Sequence, residues 1–64
     1  MVTLTKIDGS RISVNPDMIK FVEETPDTVI TMFTGEKMLV REPLEFITQK
    51  IMLLRKKILR GILR

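Results

Sequence analysis

Three turns constrain this chain more than any other feature. Asn15-Pro16-Asp17, Thr25-Pro26-Asp27 and Thr34-Gly35-Glu36 each join a proline or a glycine to polar side chains. Pro16 and Pro26 have no N–H to give to a ladder, and each drives the residue before it toward extended backbone. Gly35 accepts positive φ without steric cost, as Gly9 does in Asp8-Gly9-Ser10. Asn15 or Asp17 can accept backbone N–H groups in an Asx turn, and Asp27 with the hydroxyls of Thr25 and Thr28 can hold the next turn in the same way. What lies between the breaks is short, and it alternates.

Val2-Thr3-Leu4-Thr5-Lys6-Ile7 and Arg11-Ile12-Ser13-Val14 carry the two-residue period of half-buried strands, with Val2 and Leu4 on one face and Ile12 and Val14 inward. They form a hairpin about Gly9. After Asn15-Pro16-Asp17, Met18-Ile19 make a short helical turn or corner, and Lys20-Phe21-Val22-Glu23-Glu24 resumes extended structure. Thr28-Val29-Ile30-Thr31-Met32-Phe33 is almost wholly β-branched or aromatic and uncharged, the composition of a central strand. Lys37-Met38-Leu39-Val40-Arg41 is the fifth strand, with Met38 and Val40 on one face. At Glu42-Pro43 the regime changes. Proline is tolerated in a first helical turn, and from Leu44 the apolar spacing becomes that of a helix, with Ile47, Ile51, Leu54, Ile58 and Ile62 in one stripe. Gly61 can fray or cap its end. The expected fold is α+β: a small antiparallel sheet of about five short strands, bent or barrel-like, followed by one C-terminal amphipathic helix. Residues 1–64 read as one domain, with a β body over 1–42 and a basic helix over 43–64.

A chain of 64 residues has little core, burying only about 60% of its unfolded surface. Small domains usually add a disulfide, a metal or a partner subunit. There is no Cys and no His, so disulfides and thiolate or imidazole metal sites are excluded, and self-association is the staple that remains. Met1–Lys6 lacks the apolar core of a secretory signal, and no apolar run is long enough to span a bilayer. Up to Pro43 there are five basic and seven acidic residues; from Leu44 onward there are six basic and one acidic. A near-neutral body therefore carries a basic helix.

No residue set points to catalysis. Asp8, Asp17, Asp27 and Glu36 all fall in turns. They could pair as acid and base or hold Mg²⁺, but beside Gly or Pro they read more simply as turn residues. No serine stands in a nucleophile elbow, and the glycines are isolated, so no phosphate loop is present. The chain is expected to be no enzyme, with no cofactor, metal or small-molecule substrate. The helix carries the strongest functional signal. Beside the packing stripe, Met52, Leu59 and Leu63 form a second apolar arc, and Lys50, Lys56, Lys57 and Arg60 form a basic surface with Arg64. A second arc left exposed marks an interface. It can pair with its own copy, dock on another protein, or lie on an anionic membrane; the bland reading is a frayed, solvated end. Nucleic acid is disfavoured. Phe21, Phe33 and Phe46 are the only aromatics and occupy apolar contexts, so no stacking platform interleaves with the basic residues.

The elements Ile7-Asp8-Gly9, Val14-Asn15-Pro16-Asp17-Met18-Ile19, Thr25-Pro26-Asp27-Thr28-Val29-Ile30-Thr31, Gly35-Glu36-Lys37 and Val40-Arg41-Glu42 resemble the FlbD family of small bacterial flagellar proteins, which includes a SwrD-like swarming branch. The resemblance covers roughly Met1 to Lys50. It implies a cytoplasmic, non-enzymatic accessory of flagellar motility that supports the motor through the stator proteins or their surroundings, at the inner face of the cell membrane near the flagellar base. No catalytic residue carries over. An unrelated transcription activator shares the family name, but this chain has neither its length nor its helix-turn-helix. The alternative is a small nucleic-acid-binding regulator that uses the basic helix.

Overall fold

The computed structural model describes the backbone of residues 1–63 and the side chains through Lys56. Strands β1 (Val2–Thr5) and β2 (Arg11–Val14) form an antiparallel hairpin, with Leu4 opposite Ile12. Its turn needs Gly9 at φ +94°. Asn15 then stops β2: its Oδ1 accepts the N–H of Asp17 at 3.0 Å, and Pro16–Met18 make one 3-10 turn. Of the two turn residues able to accept a backbone N–H, the asparagine is the one that does so. Strands β3 (Ile19–Glu24), β4 (Thr28–Met32) and β5 (Lys37–Val40) form an antiparallel meander with β4 in the middle. The Thr25–Pro26 peptide at the β3–β4 corner is cis, and the β4–β5 turn places Gly35 at φ +91°.

The two sheets meet along one short seam. Lys6 forms a bridge with Val40, the Arg41 N–H donates to the Thr5 carbonyl at 2.8 Å, and the Ile7 N–H donates to the Leu39 carbonyl at 3.2 Å. The spatial order is therefore β2-β1, the seam, then β5-β4-β3. The body is a bent sheet and not a closed barrel, because β2 and β3 remain its two edges among the described residues.

Helix α1 (Leu44–Leu63) follows Pro43 and continues through Gly61, so that glycine does not end it. The core is aliphatic: Val2, Leu4, Val14, Ile30, Met38, Val40 and Ile47 are buried. Burying each large side chain of this kind contributes about 1.5–3 kcal/mol. All three phenylalanines are exposed, contrary to the apolar contexts expected for them. The inner face of so small a body is filled by branched aliphatics, and Phe21 lies beside Thr31 on the opposite face of the sheet. Along the packing stripe of α1, Ile47 is fully buried while Ile51 and Leu54 are half-buried. A helix of 20 residues runs about 30 Å at 1.5 Å per residue, and the molecule measures 41 × 21 × 20 Å. The helix outreaches the sheet, which is why its stripe loses cover toward the C-terminus.

Candidate functional site

Two carboxylates fasten the helix to the body. Glu24, the last residue of β3, accepts the N–H of Leu44 at 2.9 Å and the hydroxyl of Thr28 at 3.2 Å through one oxygen. It thus satisfies one of the unpaired donors that open any helix. Glu42, just before α1, turns back onto β1: its two oxygens accept the Thr5 N–H at 2.8 and 3.1 Å. Burial pushes the Glu42 carboxyl up, but the Thr5 hydrogen bonds and the nearby Arg11 charge outweigh it and hold the group below its ordinary value. At the far end of the first hairpin, Ser10 donates its hydroxyl and its N–H to Asp8 at 2.6 and 2.9 Å, which lowers the Asp8 carboxyl. Arg41 crosses that turn and donates to the Ile7 carbonyl at 2.9 Å.

The residues of the three motif turns serve the backbone. Asn15 caps the 3-10 turn that Pro16 opens, and Asp17 is exposed beside it. Pro26 and Asp27 are exposed at the β3–β4 corner, Thr28 is buried with its hydroxyl on Glu24, and Gly35 supplies a positive φ. The Thr28 bond reaches a side chain, not the turn N–H expected for it. The acidic residues are spread over separate turns, and among the described residues no group of three or more His, Cys, Asp or Glu could hold a metal ion.

The exposed apolar surface of α1 is broader than the sequence reading placed it. Met52, the one residue of the second arc whose side chain is described, is 63% exposed, and Leu53 at 54% and Phe46 at 38% are exposed on another side of the helix. Gln49, Met52, Leu53 and Lys56 line one shallow apolar depression. Leu59, Leu63, Lys57 and Arg60 lie outside the residues whose side chains are described. Of the basic surface, Lys56 is exposed, and Lys50 holds its ammonium 5.4 Å from the centroid of the Phe46 ring. A groove of about 540 Å³ runs between α1 and the first strand, lined by Thr3, Arg11, Glu42, Phe46, Lys50 and Leu53 among others. Sequence reasoning missed this groove. The signal available was the continuous run Ile51-Met52-Leu53-Leu54, since a helix apolar on every side needs cover on every side.

The fold defines a class, a small α+β body whose helix stands partly uncovered. The model of FlbD, flagellar and swarming motility proteins, matches residues 1–59. The chain belongs to that family, and its place is in flagellar and swarming motility. No curated protein and no solved structure matches it. Among the described residues no helix is long and apolar enough to cross a membrane.

Proposed function

We propose that the chain is a non-enzymatic accessory that supports the flagellar motor through protein contacts made by α1, with the stator proteins or their cytoplasmic surroundings as partner. The observation that carries this reading is the exposed apolar surface of Phe46, Met52 and Leu53 on a helix that reaches beyond its own sheet. Surface of this kind, rimmed by Gln49 and Lys56, is what a contact face looks like. Its place is the cytoplasm, at the inner face of the cell membrane near the flagellar base. Self-association through the Met52 side of α1 belongs to the same reading, because a body this small gains most from sharing apolar cover with a second copy.

Deleting the gene should impair swarming and lower motor torque while filaments still assemble, and complementation with Met52→Glu should fail to restore torque. Normal swarming on viscous medium after deletion overturns the reading. The nucleic-acid alternative is separated by titrating RNA and DNA at low salt, where binding should be absent. Binding that weakens steeply with salt would replace the motor reading by that one.

A further inference from the structure

The groove beside β1 contains an unused strand edge. The Lys6 N–H donates to the Ser10 carbonyl at 2.8 Å, so Lys6 and Ser10 are a hydrogen-bonded pair of the first hairpin. Such pairs alternate along an antiparallel ladder. With Thr5 opposite Arg11 and Thr3 opposite Ser13, the N–H and C=O groups of Thr3 and Thr5 therefore point away from β2. Those of Thr5 are taken, the N–H by Glu42 and the carbonyl by the Arg41 N–H. Those of Thr3 have no protein partner among the described residues. Thr3 lines the groove, and α1 forms the opposite wall with Phe46, Leu53 and Leu54. At the Thr5 end the Glu42 carboxylate occupies the position that the carbonyl of an added strand would take. Thr3, two residues back, is the next place where such a strand would bond.

We infer that this groove binds a short extended peptide, carrying an acidic residue beside an apolar one, from a different protein. Extended backbone is what the Thr3 edge can pair with, the mode by which peptides add to open sheet edges. An apolar side chain suits Phe46, Leu53 and Leu54. The acidic residue follows from Lys50 on the rim: the lining holds two cations, Arg11 and Lys50, against one carboxylate, Glu42, whose charge Arg11 offsets, so one positive charge is left for a ligand. A volume of about 540 Å³ lies within the usual range of binding clefts. Edge-to-edge pairing of β1 with the β1 of a second copy would bring no acid, since Met1-Val2-Thr3-Leu4-Thr5-Lys6 has none and adds a lysine. The inference rests on the reading of the chain as a binding module, and it assigns an occupant to the Phe46 and Leu53 side of the exposed helix surface, leaving the Met52 side for self-association.

The test is a titration of the ¹⁵N-labelled full chain with a capped heptapeptide alternating valine and aspartate, followed by amide shifts and by hydrogen exchange at Thr3. Binding should shift and protect the Thr3 amide. A lysine-for-aspartate peptide should bind at least about tenfold more weakly, as should a proline-interrupted peptide, the loss expected for one charge-assisted contact or a broken backbone pair. Lys50→Glu, a surface change that leaves the core intact, should lose a similar factor. Equal binding of all three peptides, shifts confined to residues away from Thr3, or no binding at millimolar peptide overturns the proposal. So does a Thr3 amide already protected in a concentration-dependent way without peptide, which would mean that a second copy covers the edge. A failed titration beside a swarming defect on deletion removes the groove alone; peptide binding beside normal swarming removes only the motility role.

Discussion

Thr28 and Thr31 stand on the same strand, β4, both buried, at 4% and 6% exposure. Their hydroxyls have opposite circumstances. Thr28 faces the core side and donates to Glu24 at 3.2 Å. Thr31 faces the other side, between Phe21 and Lys37 in the ladder, and its hydroxyl has no partner among the described residues. Valine has nearly the same shape as threonine and a strong strand preference, so the same substitution isolates the hydroxyl at each site. A buried hydroxyl without a partner costs about 1–3 kcal/mol in desolvation. Thr31→Val should therefore stabilise the fold by about 1 kcal/mol, the low end, because the site is close to the surface. Thr28→Val removes a hydrogen bond to a charged group. Glu24 is itself exposed and recovers water, so the loss should be about 0.5–1.5 kcal/mol. The two variants should then differ by about 2 kcal/mol with opposite signs. For a domain of this size that is roughly a 10 °C separation in Tm, at about 4–8 °C per kcal/mol. Urea denaturation followed by circular dichroism at 222 nm gives both values. If Thr31→Val destabilises, or if both variants move in the same direction, the assignment of a satisfied and an orphaned hydroxyl is refuted, and Thr31 must be bonded to water.

Removing the Glu24 carboxylate should cost about 1–2 kcal/mol, because Glu24→Ala deletes a helix cap and strips the Thr28 hydroxyl of its acceptor; its neighbour Glu23→Ala should stay within about 0.5 kcal/mol, and equal effects in urea melts would show that the cap contributes nothing. Glu42 has a folded-state value below its ordinary 4.5, so its contribution is complete above that pH and is lost as the pH falls through the depressed value; acid titration of the native chain should show this loss below pH 4.5, and Glu42→Gln should flatten that part of the profile. Light scattering at tens of micromolar should give a dimer mass for the native chain, since two-fold pairs are the commonest closed assembly, and a monomer mass for Met52→Glu; a monomeric native chain, or a variant with unchanged mass, ends the self-association reading.

The turns and periods of this chain were legible because they are local. Pro16 and Pro26 fix their own φ and lack an N–H wherever they occur, Gly9 and Gly35 admit the positive φ that other residues avoid, and alternation in Val2-Thr3-Leu4 or Lys37-Met38-Leu39-Val40 reports a half-buried strand without knowledge of its partner. Five strands, one helix and the inward faces of β1, β2 and β5 came from such signals. The 3-10 turn at Pro16–Met18 and the choice of Asn15 as its cap lay at the limit of what they specify.

Everything that depends on contact across the chain was decided by the tertiary structure. Nothing local to Glu24 marks it as the cap of a helix that begins at Leu44, or Glu42 as the acceptor for Thr5. Both bonds join residues 20 or more positions apart, and a carboxylate in an acidic stretch looks the same whether it is solvated or bonded. The helical period showed that Phe46 and Leu53 lie off the packing stripe, but not that the stripe seats α1 alongside the open half of β1, with Phe46 and Leu53 turned toward Thr3. That placement follows from the Lys6–Val40 seam. The seam ties β5 to the end of β1 only, so the first residues of β1 keep an unpaired edge and the helix that follows β5 is delivered beside it.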